Sequence, residues 1–510
     1  MTRKLKLYTL GLLLLLIGSQ YWVNLNEQKA PPSPEWSRSF PTDEQASDYI
    51  KLQSVPTKNG YAVSLLNFRQ LDLYECSLTM DCEKAWSNSD LNAKKNTWSD
   101  GKTSYTIVED SLIYSTEYGN NEMIADQVED FTKSDDTLVY WTTDQKVFVQ
   151  QGDGAVMPFT TEKPVFTAKV LDDHIFIVTR DILTNRFTLY EAGSELEELF
   201  QFTTNSSEII QSMTLFSKPN NLFGMLLDIE INSGGSRQKS IRTATFELTE
   251  QETPSFSQLA FFDKNTGIKL TDVRFPSIFL SEADTYISFT ASHYDSTGKK
   301  VNQAYVGLAD NEHIEAAAAT KIGDLYTNPI LLNIDTLAYF QSNGTVQKLM
   351  YSSTTEEKRA QSLDGLEGDN KEALYTMLTI LFNGFVMMLL SFAWLVPALS
   401  IGYGALALLH KLRRSNAYFI ALLVNTVALV VSQLVLFATV FNPEKIVQKA
   451  PYLTELWQVS AVIIVAGIVC LLPVFLSRTK VSEDNGNMLI LYTTAVNFMI
   501  LFFLIGPYFL

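Results

Sequence analysis

The chain is poor in residues that carry chemistry. Its 510 residues include three cysteines and four histidines. There is no Gly-x-Ser-x-Gly elbow and no His-Glu-x-x-His pair, so neither a serine-hydrolase nor a zinc-protease arrangement can be read from it. His174, His293 and His313 fall in the polar middle of the chain, and none has a partner at metal-ligand spacing. Two cysteines there, Cys76 and Cys82, cannot make a zinc site alone. Gly101-Lys102-Thr103 lacks the upstream glycine of a phosphate loop, because Asn96 stands at that position. Ser134-Asp135-Asp136 and Gly152-Asp153-Gly154 lack the spacing of a calcium loop and read as solvated turns. No catalytic, cofactor-binding or metal-ligating residue is assigned, no cofactor is expected, and the chain reads as non-enzymatic.

Long apolar runs are present, and they are almost free of charge. One lies at Leu7–Val23. The others crowd into Leu374–Leu510, and about 340 polar, acidic residues separate the two groups. Runs near 20 residues match the ~30 Å hydrocarbon core of a bilayer. The polar members of the C-terminal runs, among them Asn383, Asn425, Gln433 and Asn497, are amides and hydroxyls of the kind that link helices by hydrogen bonds. The fold class expected is a membrane protein with an N-terminal anchor, an all-β exported domain and a C-terminal helical bundle.

Charge sets the orientation. The first apolar run follows Met1-Thr2-Arg3-Lys4-Leu5-Lys6 and lacks a small-x-small cleavage pattern, so it reads as a retained anchor with a cytoplasmic N-terminus. Suppose Leu374–Leu395, Ala417–Phe441, Leu456–Leu476 and Met488–Leu510 then cross alternately. Arg3, Lys4, Lys6, Lys411, Arg413, Arg414, Arg478 and Lys480 become cytoplasmic, and only Lys445 and Lys449 lie outside. A sixth crossing at Val396–His410 would make the split even, so five crossings are expected and 396–410 stays unplaced. Lys411, Arg413 and Arg414 form the one obvious cytoplasmic docking cluster. Residues 24–372 are expected outside the plasma membrane.

Residues 31–370 carry 27 Lys and Arg against 50 Asp and Glu, a net of −23. Such a domain repels nucleic acid and anionic headgroups. The boundaries expected are an anchor at 1–23, an extended tether at 24–50 around Pro31-Pro32-Ser33-Pro34, a β domain at 51–352, a linker at 353–372 and the membrane domain at 373–510. Cys76 and Cys82 have five residues between them. A disulfide across a strand–turn–strand is open at that spacing if the Cβ atoms face each other; two free thiols are the alternative.

A loose repeat runs through the β domain. Asp110-Ser-Leu-Ile-Tyr-Ser, Asp136-Thr-Leu-Val-Tyr-Trp, Asp173-His-Ile-Phe-Ile-Val, Asp284-Thr-Tyr-Ile-Ser-Phe and Asp335-Thr-Leu-Ala-Tyr-Phe share one shape, with a weaker copy at Asn221. Each is a turn former followed by an apolar, aromatic and β-branched run, which is strand composition. A second strand follows each of the later copies, as at Lys146-Val-Phe-Val-Gln and Arg186-Phe-Thr-Leu-Tyr, and Asp295–Lys300 and Asn343-Gly344 suit hairpin turns. The spacing averages about 45 residues, near the ~40–50 of a propeller blade. The domain resembles a β-propeller of six to eight blades, with no specific family matched and a pair of β-sandwiches as the rival.

The function expected is a membrane-anchored binding or scaffold protein whose acidic domain recognises a protein or envelope ligand. Its partners would be the bilayer and a membrane or envelope protein. The alternative is a permease-type subunit of an ATP-driven exporter, which shares only the order of helix, external domain and helices. An exported hydrolase ranks last.

Overall fold

The computed structural model describes residues 3–46, 52–67, 70–88, 93–219, 222–233, 236–249, 252–281, 284–294, 300–309, 312–322, 325–342, 344, 346–366, 368–412, 416–436, 439, 442–443, 446–447, 450, 452–453, 455–476 and 481–508. Its contacts divide the chain into two units, Pro31–Ser362 and the helices of Met1–Ala30 with Leu363–Leu510. Arg413, Arg414, Arg478, Lys480 and the turn at 295–299 lie outside the described residues, as does Asn343.

The first unit consists of seven antiparallel sheets in succession. Blades 1 to 5 are four-stranded, at 53–88, 93–125, 128–160, 165–203 and 208–258. Blade 6 has five strands within 260–318. Blade 7 takes Leu325–Asn333, Thr336–Ser342 and Gln347–Ser353, and its fourth strand, Phe40–Ala46, comes from the start of the chain. The first strands of successive blades neighbour one another, and Asn333 Nδ2 of blade 7 donates to the Tyr61 hydroxyl of blade 1 at 2.7 Å. This is a seven-bladed β-propeller, within the range expected, and not a pair of sandwiches.

Local sequence explains the strands. Thr137–Thr142, His174–Asp181 and Thr336–Ser342 are second strands, buried on nearly every residue, and they carry the continuous apolar runs that two-sided burial demands. Asp136, Asp173, Asp284 and Asp335 each stand just before the second strand of blades 3, 4, 6 and 7. Asp110 precedes the third strand of blade 2 instead, which is why the copies at 110 and 136 are unusually close. The long interval between 221 and 284 contains Ala260–Asp263, an extra strand lying parallel to His313–Ala318 at the edge of blade 6.

Two boundaries are corrected. Residues 24–50 are not an extended tether: the first helix continues to Lys29, Trp36 is 3 % exposed in the core shared by blades 6 and 7, and Phe40–Ala46 is a strand. The last blade lacks a fourth strand from its own end of the sequence, and this segment supplies it. The linker 353–372 contains the helix Glu356–Asp364, whose Glu356 and Glu357 sit in the first turn, where the helix dipole favours carboxylates.

In the second unit, five described helical stretches are long and apolar enough to cross a bilayer: Arg3–Lys29, Met387–Lys411, Ala417–Val435, Leu456–Leu476 and Asn485–Leu504. Their ends sort into two groups. Leu5 packs with Leu406, Ala417, Val474 and Leu489 at one end. At the other, Tyr21 donates to Asn370 Oδ1 at 3.0 Å, Lys29 to the Asp364 carbonyl and Gln20 to the Phe503 carbonyl. The helices Asp369–Leu390 and Phe392–Lys411 run end to end through Ser391, so together they traverse the unit once and take in 396–410. Their junction lies near Pro397, which cannot donate to the Ala393 carbonyl one turn back.

Gly224 in blade 5 is a sensitive position. A Cβ there would lie 2.2 Å from the buried Phe216 ring. Gly224→Ala should lower stability by about 1–3 kcal/mol, the usual range for overpacking, read as a fall in the thermal midpoint followed by circular dichroism at a strand-sensitive wavelength.

Candidate binding face

The first strands line a central channel. Six of the seven carry a register shift, at Ala93/Thr97, Val128/Asp130, Val165/Thr167, Ile210/Ser212, Arg274/Ser277 and Thr327/Ile330. Such bulges break the alternation of the ladder and let polar residues face the axis. Gln53, Asn96 and Asp130 form a chain across blades 1 to 3: Gln53 Nε2 donates to Asn96 Oδ1 at 2.6 Å, and Asn96 Nδ2 donates to Asp130 Oδ1 at 3.1 Å and to the Phe131 carbonyl at 2.9 Å. They border a space of about 310 Å³ with Thr167, Lys169 and Thr214. Asn96, the residue that breaks the phosphate-loop pattern, is thus a link between blades.

Strand direction sorts the turns onto two ends of the ring. In every blade, the turn after the first strand lies at the same end as the turn after the third. The first set contributes Asp100, Asp135, Asp136, Asp172, Asp173, Asp284 and Asp335. The second contributes Asp81, Glu117, Asp153, Glu195, Glu252 and Glu312. Among the described residues of these turns, the basic side chains are Lys58 and Lys102. The opposite end is mixed: Glu109, Asp110, Asp126, Asp144, Glu162 and Asp272 stand with Lys163, Lys269 and Lys321. The acidity of the domain is therefore concentrated at one end.

Many of these carboxylates serve their own turns. Asp100 Oδ1 accepts from the backbone N–H groups of Lys102 and Thr103 at 2.9 and 2.7 Å, so Gly101-Lys102-Thr103 is a polar turn. Asp135 and Asp172 adopt positive φ, which aspartate tolerates in tight turns. Two grooves open at this end, one on each side of blade 7. That between blades 6 and 7 has about 600 Å³ and includes Trp36, Leu308, Glu315 and Ile334. That between blades 7 and 1 has about 630 Å³ and includes Pro41, Glu75, Asp81 and Tyr351.

Cys76 and Cys82 border the second groove. They are register partners across the turn that ends the third strand of blade 1, with Cα atoms 4.0 Å apart, and are joined as a disulfide. Lys411 is exposed in the last turn of its helix, near the partial negative charge of the helix C-terminus. The histidines are engaged locally. His174 Nδ1 meets Glu191 Oε1 at 2.6 Å and its ring packs on Phe223. His293 Nε2 lies 3.0 Å from the Tyr305 hydroxyl, and burial holds its pKa below the usual histidine value. His313 stacks on Phe262. Among the described residues no three metal-ligating side chains come together. The grooves escaped sequence reasoning because each joins segments far apart in the chain; the exposed apolar Ile334 beside Asp335 was the one local hint.

Solved structures align with part of this chain. The Nup133 β-propeller domain of Vanderwaltozyma polyspora is 8 % identical over 62 % of this chain and 98 % of its own, with a TM-score of 0.39. BBS1N, solved in complex with ARL6DN, is 10 % identical over 63 % of this chain and 97 % of its own, with a TM-score of 0.40. These likenesses concern the fold only. No family model and no curated protein matches the sequence.

A buried ion pair fixes the start of blade 5. Arg242 donates to both Glu208 oxygens, at 2.5 and 3.2 Å, and the Asn205 N–H donates to Oε2 at 3.2 Å. The Arg242 guanidinium, chiefly, holds the Glu208 carboxyl below its usual value. A lowered folded pKa adds stability above the unfolded value near ~4.3, and this is lost as pH falls through the folded value. Glu208→Gln should therefore cost about 2 kcal/mol at neutral pH, and the variant should converge on the parent in acid, as read by urea titrations at a series of pH values.

Proposed function

We propose that the protein is a non-enzymatic, multi-pass plasma-membrane protein whose propeller is a protein-binding scaffold held outside the cell. The carrying observation is the strongly acidic end of the ring, with thirteen carboxylates against two lysines among its described turn residues. A closed ring removes exposed sheet edges and leaves its turns and inter-blade grooves as the contact surface. Carboxylates gathered at one end attract and orient a cationic partner over a Debye length of ~8 Å, and they repel nucleic acid and anionic lipid.

Five apolar stretches of 27, 25, 19, 21 and 20 residues support the membrane reading. With the basic start of the chain in the cytoplasm, the stretches cross alternately, Met387–Lys411 is the second crossing, and Lys411 faces the cytoplasm as a docking position with Arg413 and Arg414. The propeller is then extracytoplasmic, where the Cys76–Cys82 bond persists.

Two measurements test this. Alkylation of intact cells followed by denaturation should find one free thiol per chain before reduction and three after; three before reduction would place the propeller in a reducing compartment and overturn the export reading. Crosslinking on intact membranes, followed by capture of the full chain, should recover a membrane or surface protein. Recovery of none would overturn the binding reading.

A further inference from the structure

The groove between blades 6 and 7 differs from the rest of the acidic end. Its floor is apolar, made by Trp36, Tyr286, Val306 and Ala317. At its mouth Leu308 is 45 % exposed and Ile334 51 % exposed. Ile334 opens the two-residue turn of blade 7, the position held by Asp135 in blade 3 and Asp172 in blade 4. One blade of the acidic end thus presents an aliphatic side chain where its counterparts present carboxylates. Isolated exposed aliphatics are ordinary, but here two of them stand at the mouth of a cavity of about 600 Å³ whose floor is apolar.

The rim is negative. Glu315 borders the cavity, and Glu312 and Asp335 adjoin its lining residues His313 and Ile334 in sequence. The lysine of the lining, Lys264, is paired with Glu35, and the His313 ring is stacked on Phe262 with centroids 4.1 Å apart. A partner that fills this groove must bring apolar side chains for the floor and positive charge for the rim. An acidic segment would meet like charge, and a purely basic one would leave Leu308 and Ile334 in water.

We propose that this groove is the docking site for a cationic, aliphatic-bearing segment of a protein partner, with its apolar side chains against Leu308 and Ile334 and its Lys or Arg side chains against the carboxylates of the rim. The assignment rests on the reading of the propeller as a protein-binding domain and names the site and the partner chemistry. An extended segment suits it, because alternate side chains of a strand point to opposite sides and can divide floor from rim.

The test uses the full chain in phosphatidylcholine nanodiscs and three fluorescent peptides of equal length, alternating Lys–Leu, Glu–Leu and Lys–Ser, read by anisotropy against empty nanodiscs. The Lys–Leu peptide should bind, and the other two should bind at least ~10-fold more weakly, the scale on which loss of an interface anchor is felt. Leu308→Ser with Ile334→Ser should weaken Lys–Leu binding by about 10-fold. Both side chains are surface-exposed, so the fold should persist. Glu315→Lys should weaken binding and flatten its salt dependence. Leu183→Ser, at a 96 % exposed position in a turn of the opposite end, should change nothing. Equal binding of the Glu–Leu peptide, or Lys–Leu binding untouched by the double substitution, would overturn the proposal. A crosslinked partner whose yield ignores the double substitution would overturn the groove while leaving the scaffold reading intact.

Discussion

Everything in the propeller depends on pairing Phe40–Ala46 with Gln347–Ser353. Without that pairing blade 7 ends in an unpaired strand whose N–H and C=O groups face solvent, the arrangement that promotes edge-to-edge association. The pairing joins residues about 300 positions apart, so it constrains the whole intervening chain. It also draws residues 31–39 across the end of the ring, which places Trp36 in the core shared by blades 6 and 7. Ser37 reinforces the join from both sides: its N–H donates to the Ser353 carbonyl at 2.8 Å, and its hydroxyl accepts from the Ser353 N–H at 2.9 Å. The hydroxyl of Tyr339, itself fully buried, donates to Ser39 Oγ at 2.6 Å. The closing strand is therefore held by ladder bonds, by side-chain bonds and by an aromatic wedge.

Closure also explains how the domain tolerates so much negative charge. The carboxylates of the acidic end occupy exposed turns spread over all seven blades, in high dielectric, where repulsion between neighbours is small. Buried charge is treated differently. Glu208 has a bidentate arginine, and Asp72 has Lys84 at 2.7 Å. Asp228, with Lys239 at 3.8 Å, has its pKa pushed upward by burial, the direction expected where solvation is lost and compensation is incomplete. The sorting of acids into turns and pairs is what a ring of thin sheets permits: each blade is only four or five strands wide, so every turn reaches water.

Much of this was legible in the chain, and the limits have physical causes. Second and third strands announce themselves because both of their faces are covered, which forces runs such as Leu138–Trp141 and Ile175–Val178. First strands do not, because bulges and the polar channel interrupt their alternation, as at Asn96 and Asp130. Outer strands do not, because solvent covers one face; Cys82–Asn88 is mostly exposed. Blade 1 was overlooked although Lys58-Asn59 makes a two-residue hairpin turn, followed by Gly60 at the head of a buried strand. The N-terminal closing strand had no local signature, since its partner is at the other end of the domain. The candidate site divides in the same way. Net charge was visible, but its concentration at one end follows from strand direction, and the grooves follow from ring closure.

The helical unit shows a parallel economy of polar groups. Apolar surface alone distinguishes one helix pairing from another poorly, and buried amides supply that discrimination. Asn425 Nδ2 donates to Thr494 Oγ1 at 3.0 Å and Gln433 Nε2 donates to Asn497 Oδ1 at 2.7 Å, so the helices Ala417–Val435 and Glu483–Leu504 are tied at two levels. Gly402 sits against Asn425, where a Cβ would come within 2.8 Å of its side chain, so a third helix is registered against the same amide. Asn425 Oδ1, Gln433 Oε1 and Asn497 Nδ2 have no further partner among the described residues, so each amide works through one end only. An unpaired buried polar atom is costly, and a slip of one residue along either helix would strand the paired ends as well. Axial register in this unit thus rests on a few amides, much as closure of the propeller rests on one strand.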